Sequence, residues 1–316
     1  MKVGIDMGGM SVKLGLVNEK NEIAGKLVIP TRLDVPAREM VLDMAEAVKT
    51  LLAENGLTLS QIQGIGIGSP GTVDQEEGTI LYSNNFDWED VPILSIMREA
   101  LGPVKLDIAN DADAAALGEV CAGAAEGAKN AVLLTLGTGV GGGVIINRKI
   151  FRGGVTGGCE LGHMVIVENG ERCTCGRRGC LEAYASASAL LRMARKAAAA
   201  HPESLMNQMC GNDLEKINGK IPFDAAAAGD QMGAEVVETY ENHLACGIAN
   251  LINIFRPEKV ILGGGVAAQK ENLTAPVQKK VDSMCFGGRH GKIAPIVTSR
   301  LGNDAGIIGA ANLIED

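Results

Sequence analysis

The feature that most constrains this chain is a device that occurs twice: a short apolar strand, a glycine-rich turn, and a second apolar strand. Residues 2–6 read as a strand, Gly8 and Gly9 mark a tight turn, and 12–17 alternates as the returning strand. The device restarts at 131–136, passes through the glycine-rich run 137–143, and leaves as 144–150. Strands and helices follow the first hairpin. Residues 22–29 continue as a third strand, and 37–55 sets Val41, Met44, Val48, Leu51 and Leu52 at helical spacing, with Gly56 as a stop signal. A buried strand at 62–67 ends in the turn Ser69-Pro70-Gly71, and a helix at 93–101, a strand at 104–109 and a helix at 111–122 complete the half. Two such hairpins predict an internally duplicated α/β fold.

The 316 residues suffice for two domains. Hydrophobic residues make up 46% of the chain but aromatics only 3%, so the core must be aliphatic. A net charge of −9 opposes binding to polyanions, which predicts no nucleic-acid partner. No leader pattern and no bilayer-length apolar run are present, so the expectation is a soluble, cytoplasmic protein without a membrane partner. Eight cysteines in that setting read as reduced thiols or metal ligands. Cys121, Cys159, Cys210, Cys246 and Cys285 are scattered and read as ordinary residues; Cys173, Cys175 and Cys180 are crowded. Residues 151–179, rich in Gly and Cys without periodicity, read as a long functional loop. Helices are expected at 181–200 and 229–255, a strand at 260–262 before Gly263-Gly264-Gly265, and a surface insertion at 201–224.

Gly137-Thr138-Gly139-Val140-Gly141-Gly142 formally satisfies the dinucleotide fingerprint. That fingerprint must open a helix, whereas 144–149 reads as a strand, and no Gly-Lys-Ser/Thr end makes it a Walker loop. What remains is a hairpin whose N–H groups can line a phosphate, with a plain tight hairpin as the bland alternative. Asp6-Met7-Gly8-Gly9-Met10-Ser11-Val12-Lys13 repeats the device with an acidic residue able to hold Mg²⁺ through water. Paired turns of this kind suit a phosphoryl-transfer cleft of the actin and hexokinase type, with one nucleotide between similar halves. Asn110-Asp111 sits where a strand meets a helix, the place where open α/β sheets bind ligands. There Asp111 could accept a hydroxyl proton during attack on a γ-phosphate; alternatively it merely caps the helix.

Cys173-Thr174-Cys175-Gly176-Arg177-Arg178-Gly179-Cys180 places three thiols within eight residues, three corners of a tetrahedral zinc site. Of the four histidines, His163 in Glu160-Leu161-Gly162-His163 lies nearest, and His201, His243 and His290 are poorer candidates. A closed Cys₃His set leaves no position for water, so the zinc would be structural, pinning the loop that presents Glu160 and Glu182. Unmetallated reactive thiols are the alternative.

On these residues the chain resembles the ROK-family bacterial glucokinases over essentially its whole length. Cys173 through Ser186 matches that family's Cys-x-Cys-Gly-x-x-Gly-Cys-x-Glu-x-x-x-Ser signature without departure, and 134–163 resembles its longer glycine-rich signature. The resemblance implies a duplicated actin-like, hexokinase-type (ribonuclease H-like) two-domain fold with a central cleft. It implies a small domain of residues 1–117 joined by the C-terminal helix 303–316, a large domain of 118–302, and a homodimer. It further implies Asp111 as general base, Asn85, Asn110, Glu160, His163 and Glu182 along the sugar, and nucleotide contacts from Asp6, Gly8, Gly9, Ser11, Lys13, Gly137, Thr138, Gly139, Gly264 and Gly265. Two positions depart from the family pattern: Met10 replaces a threonine in the first hairpin, and Asp113 replaces the second asparagine of Asn-Asp-Ala-Asn. On a helix Asp111 and Asp113 should point apart, and activity should survive both changes.

The implied reaction is transfer of the γ-phosphate of MgATP to the 6-hydroxyl of glucose. Kinases for N-acetylmannosamine, fructose or allose, polyphosphate as donor, and a non-catalytic zinc interaction module stand as alternatives. Sugar-sensing repressors of the same family carry an N-terminal helix-turn-helix domain, for which a hairpin starting at residue 4 leaves no room.

Overall fold

The computed structural model describes residues 1–288 and 290–315. In chain order the first half contains β1 (Lys2–Met7), β2 (Ser11–Val17), β3 (Ile23–Pro30), α1 (Ala37–Glu54), β4 (Ile65–Ser69), β5 (Thr72–Asp74), β6 (Thr79–Ser83), β7 (Trp88–Val91), α2 (Ile93–Leu101), β8 (Leu106–Asn110) and α3 (Asp111–Ala122). The second contains β9 (Ala131–Leu136), β10 (Val140–Ile146), β11 (Lys149–Ile150), α4 (Glu182–Ala185), α5 (Ala187–Ala200), α6 (Leu205–Met209), α7 (Ile221–Ala227), α8 (Gln231–Phe255), β12 (Lys259–Gly263), α9 (Glu271–Met284), β13 (Ile296–Thr298) and α10 (Ala305–Ala311). The sheets run β3-β2-β1-β4-β8 and β11-β10-β9-β12-β13, so the strand order of one repeats in the other. That repetition is the duplication expected from the two hairpins.

Two compact units divide the chain: residues 1–131, 143–159 and 300–316 form the first, and residues 132–142 and 160–299 the second. In the first unit β1 and β2 pair antiparallel with Asp6 opposite Lys13, while β1, β4 and β8 run parallel. Parallel register sets Ser69 beside Asn110 at one end of the sheet. One face buries Val3, Ile5, Ile65, Ile67 and Ile108 with Met40, Met44 and Val48 of α1. Each such fully buried aliphatic chain contributes about 1.5–3 kcal/mol, which lets a core nearly devoid of rings hold the sheet. Against the sheet α10 approaches so closely that a side chain at Gly4 or Gly66 would collide with the carbonyls of Ile307 and Ala310. A further three-stranded sheet, β5-β6-β7, lies in a stretch where sequence reading placed no strand.

In the second unit α8 is the longest helix, capped by Asp230 and ended by Arg256 in the left-handed conformation. The Asp230 carboxylate accepts from Gly233 N–H at 2.8 Å and also from Ser204 Oγ and Leu205 N–H. It thereby ties segment 201–224 to the start of α8. That segment, expected as a surface insertion, instead forms α6 and α7 and buries Met206, Ile217 and Phe223. The helix expected over 181–200 is broken at Ser186, whose extended backbone and side-chain bond to Ala189 N–H begin α5 anew. The second glycine turn is shorter than 137–143, because β10 already starts at Val140. Gly143 belongs to the strand, where a side chain would meet the carbonyl of Ala112. Among the described residues no helix is long and apolar enough to cross a membrane.

Candidate active site

The first unit gathers one group of the expected residues on its opening hairpin. Lys13 Nζ lies 3.2 Å from Asp6 Oδ2, as their opposed register requires. The turn is closed by Gly8 N–H donating to Ser11 O at 3.0 Å. Thr31, which sequence reading did not single out, donates its hydroxyl to Gly8 O at 2.6 Å and its N–H to Met10 O at 3.1 Å. The Met10 side chain is 91% exposed, so the residue departing from the family pattern packs against nothing it could disturb.

A second group stands at the start of α3. Asn110 is the cap: its Oδ1 accepts Ala112 N–H at 2.9 Å and its Nδ2 donates to Gly71 O at 3.1 Å. Asp111 follows as the first residue of the helix, with Oδ1 also 2.9 Å from Ala112 N. The amide that holds the Ser69-Pro70-Gly71 turn therefore also caps the helix carrying Asp111. Asn85 lies exposed in the turn between β6 and β7. Asn110 and buried Asp113 line a cavity of about 400 Å³ together with Asp74, Glu76, Arg152 and the glycine-rich stretch 153–158. That volume is in the range of small-ligand pockets.

The second unit gathers the rest. The ligand atoms of His163, Cys173, Cys175 and Cys180 all lie within 4.8 Å of one another. Cys175 Sγ is 3.7 Å from Cys180 Sγ, and His163 Nδ1 is 3.5 Å from Cys173 Sγ. Zn–S bonds of about 2.3 Å at tetrahedral angles put sulfurs about 3.8 Å apart, and a nitrogen at about 2.0 Å brings it slightly closer to sulfur, so the donor set fits this ion. The loop is shaped by its own backbone: Cys173 N–H donates to Arg177 O, Gly176 N–H to Cys173 O, and Gly179 N–H to Glu171 O. Burial, with the neighbouring sulfurs adding to it, pushes the Cys180 thiol up to about 12, whereas the Arg177 N–H draws Cys175 down. Thiols this close do not ionise together unaided; a bound dication would replace their protons.

Glu182, at the start of α4, does more than its sequence position implied. Its Oε1 accepts from Thr174 Oγ1 at 2.6 Å and lies 3.5 Å from Cys173 Sγ, while its Oε2 accepts Val140 N–H at 3.1 Å. A side chain at Gly139 would press on Glu182 Oε2 and push the carboxylate aside. Gly137 O accepts Ala187 N–H at 2.8 Å, fixing the other limb of the turn. Cysteine-rich loop and glycine turn are thus joined through one carboxylate. Glu160 is exposed and accepts His163 N–H through its carbonyl at 3.1 Å. Gly264 and Gly265 follow β12, with Gly264 at φ 82° folded over the backbone of Leu136.

The family model described as ROK family matches residues 2–316. A glucokinase of Thermotoga maritima is 38% identical over 315 residues, covering 99% of this chain and 97% of that protein. The crystal structure of a ROK family glucokinase from Streptomyces griseus in complex with glucose and AMPPNP has a TM-score of 0.79 at 33% identity, covering 99% of this chain and 98% of that one. A ROK hexokinase from Thermus thermophilus gives 0.80 at 32%, covering 98% and 97%. These neighbours share the duplicated hexokinase-type, actin-like fold that the repeated sheet order displays. Since the match runs from residue 2 to the last residue and the likeness to both sequences and folds covers nearly every position, the chain belongs to the ROK family.

Proposed function

We propose that this protein is an ATP-dependent sugar kinase that phosphorylates the 6-hydroxyl of glucose. The observation that carries the reading is Asp111 at the head of α3, beside a capping Asn110, in a chain whose relatives at 33–38% identity over its full length are glucokinases. Asp111 accepts the hydroxyl proton as the oxygen attacks, and Asn110, Asn85, Glu160, His163 and Glu182 take the sugar hydroxyls. A hydroxyl of the wrong configuration leaves one of these polar groups unpaired, which is the source of selectivity. The glycine turns at Gly8-Gly9 and Gly137-Thr138-Gly139 receive phosphate oxygens on main-chain N–H groups, with Ser11 and Lys13 beside the first and Gly264-Gly265 at the adenosine. Mg²⁺, held through Asp6 and water, would neutralise charge on the transferring phosphoryl group.

The zinc site is structural in this reading: four protein donors occupy every corner, so the ion supplies rigidity to the loop bearing Thr174 and to Glu182 rather than a reacting oxygen. We assign the protein to the cytoplasm and to a homodimer on the resemblance to its relatives. Glucose-dependent ADP release, compared across glucose, N-acetylmannosamine, fructose and allose as kcat/KM, is the deciding measurement. A preference for glucose supports the proposal; turnover of another hexose with none of glucose would replace it.

A further inference from the structure

Between the cysteine loop and the glycine turn runs a relay of hydrogen bonds. Thr174 Oγ1 donates to Glu182 Oε1 at 2.6 Å, and Glu182 Oε2 accepts Val140 N–H at 3.1 Å, directly after Gly137-Thr138-Gly139. The two bonds use opposite oxygens of one carboxylate, so holding one oxygen sets the direction of the other. Cys173 Sγ, at 3.5 Å from Glu182 Oε1, could donate only as a thiol. As a metal ligand it is a thiolate with no proton to give, so the Thr174 hydroxyl is then the donor that keeps Oε1 in place. Both bonds have a charged acceptor, the stronger class of protein hydrogen bond. Gly139 leaves open the space that Glu182 Oε2 occupies. Carboxylate lone pairs beyond these two remain for a sugar hydroxyl, so the relay and the sugar-lining role of Glu182 are compatible.

We propose that Thr174, which lies inside the cysteine motif but outside its ligand set, is a positioning residue for the glycine turn, acting through Glu182 on the Val140 amide. The nucleotide role of that turn rests on the function proposed above; the mechanical link does not.

The test compares wild type with Thr174→Val, which keeps shape and removes the hydroxyl, and Thr174→Ser, which restores it. Each is prepared with zinc and its metal content measured. Amide hydrogen exchange over 137–141 reads the Val140 bond, and calorimetric titration with AMPPNP reads the turn without turnover. Thr174→Val should exchange faster at Val140 and bind AMPPNP more weakly, each on the order of three- to tenfold, less than the loss of a whole hydrogen bond to a charged acceptor because the Val140 bond is loosened and not removed. Thr174→Ser should return both toward wild type. If Thr174→Val fails to hold zinc, Glu182→Leu, which alters no metal ligand and removes both acceptor oxygens, must loosen Val140 with metal content retained. Unchanged exchange at equal zinc content, or a valine defect that serine does not rescue, overturns the proposal. Faster exchange with unchanged AMPPNP affinity overturns the positioning role for nucleotide. Wild-type protein that binds no AMPPNP at all overturns the function reading instead, and the exchange data still judge the relay.

Discussion

Glu119 accepts the main-chain N–H of Arg300 at 3.0 Å where the chain re-enters the first unit. Fully buried on α3, the same carboxylate takes Leu301 N–H at 2.9 Å and Ala124 N–H at 2.6 Å. Arg300 reinforces the join by donating its guanidinium to Ala122 O at 2.6 Å and to Glu126 at 3.0 Å. The helix headed by Asp111 is therefore fastened at its far end to the segment that leads into α10.

Truncating that carboxylate strands three backbone donors. These bonds are part-buried, and each one lost costs about 0.5–1.5 kcal/mol, so Glu119→Ala should lose about 2–4 kcal/mol of unfolding free energy, read from urea denaturation. Glu119→Gln should fall between, because one oxygen still accepts while the new NH₂ opposes an N–H. A midpoint unchanged within error in Glu119→Ala would mean that these bonds contribute nothing net.

Asp111→Asn tests the base itself. The amide keeps the size and one acceptor but cannot take the hydroxyl proton, so kcat should fall about 10²–10⁴-fold. Glucose affinity, measured by calorimetry in the absence of nucleotide, should change only a few-fold, since sugar binding is spread over several side chains. Equal losses in affinity and turnover would demote Asp111 to a binding residue.

The parts legible in sequence were those written in adjacent residues. Glycine turns flanked by alternating apolar residues announce both hairpins, and Cys173, Cys175 and Cys180 announce a cluster that His163 completes in space. The strand-to-helix junction expected at Asn110-Asp111 is present, with Asn110 as the cap and Asp111 as the first residue of the helix. What escaped depends on pairing across the chain. Strands β5 to β7 are three to five residues long, with a register shift between Thr72 and Val73, and gain stability from pairing with one another and from setting Val73, Ile80, Trp88 and Val91 into the core. Glu182 and Val140 meet across 42 positions, and no local pattern records that bond. Residues 201–224 look polar and irregular because their anchor, Asp230, belongs to the next helix.

Removing the metal tests the cysteine loop. Its short backbone bonds enclose few buried residues beyond Cys173, Cys180, Ala183 and Tyr184, so metal coordination should supply much of its order. Purified protein should contain one zinc per chain; stripping it with a strong chelator, or Cys180→Ser, should lower Tm and speed amide exchange over 163–180. Added zinc should reverse the chelator effect. Full retention of Tm and exchange protection in metal-free protein would remove the structural role.

Glu241 supplies the pH dependence. It is buried on α8, and desolvation raises its pKa from 4.5 to about 7 although Lys280 Nζ stands 3.8 Å away and pulls it down; Glu238 pushes it further up. Lys280 is shared, since it also donates to Asn242 at 2.7 Å and lies 3.9 Å from Glu238, which dilutes its hold on Glu241. The sign follows from proton counts. Below about pH 4.5 the carboxyl is protonated in native and unfolded chains alike; between 4.5 and 7 only the native state keeps the proton, so stability must fall as pH rises. Above 7 the native carboxylate is charged too, and the loss is complete. Glu241→Gln abolishes this titration while keeping the size, so its unfolding free energy should be flatter than wild type across that window and higher than wild type at pH 8. Urea midpoints at half-unit pH steps give the comparison. A wild-type curve that rises from pH 5 to 7 while Glu241→Gln stays parallel to it would place the pH dependence on other groups, and would mean that Lys280 neutralises Glu241 fully.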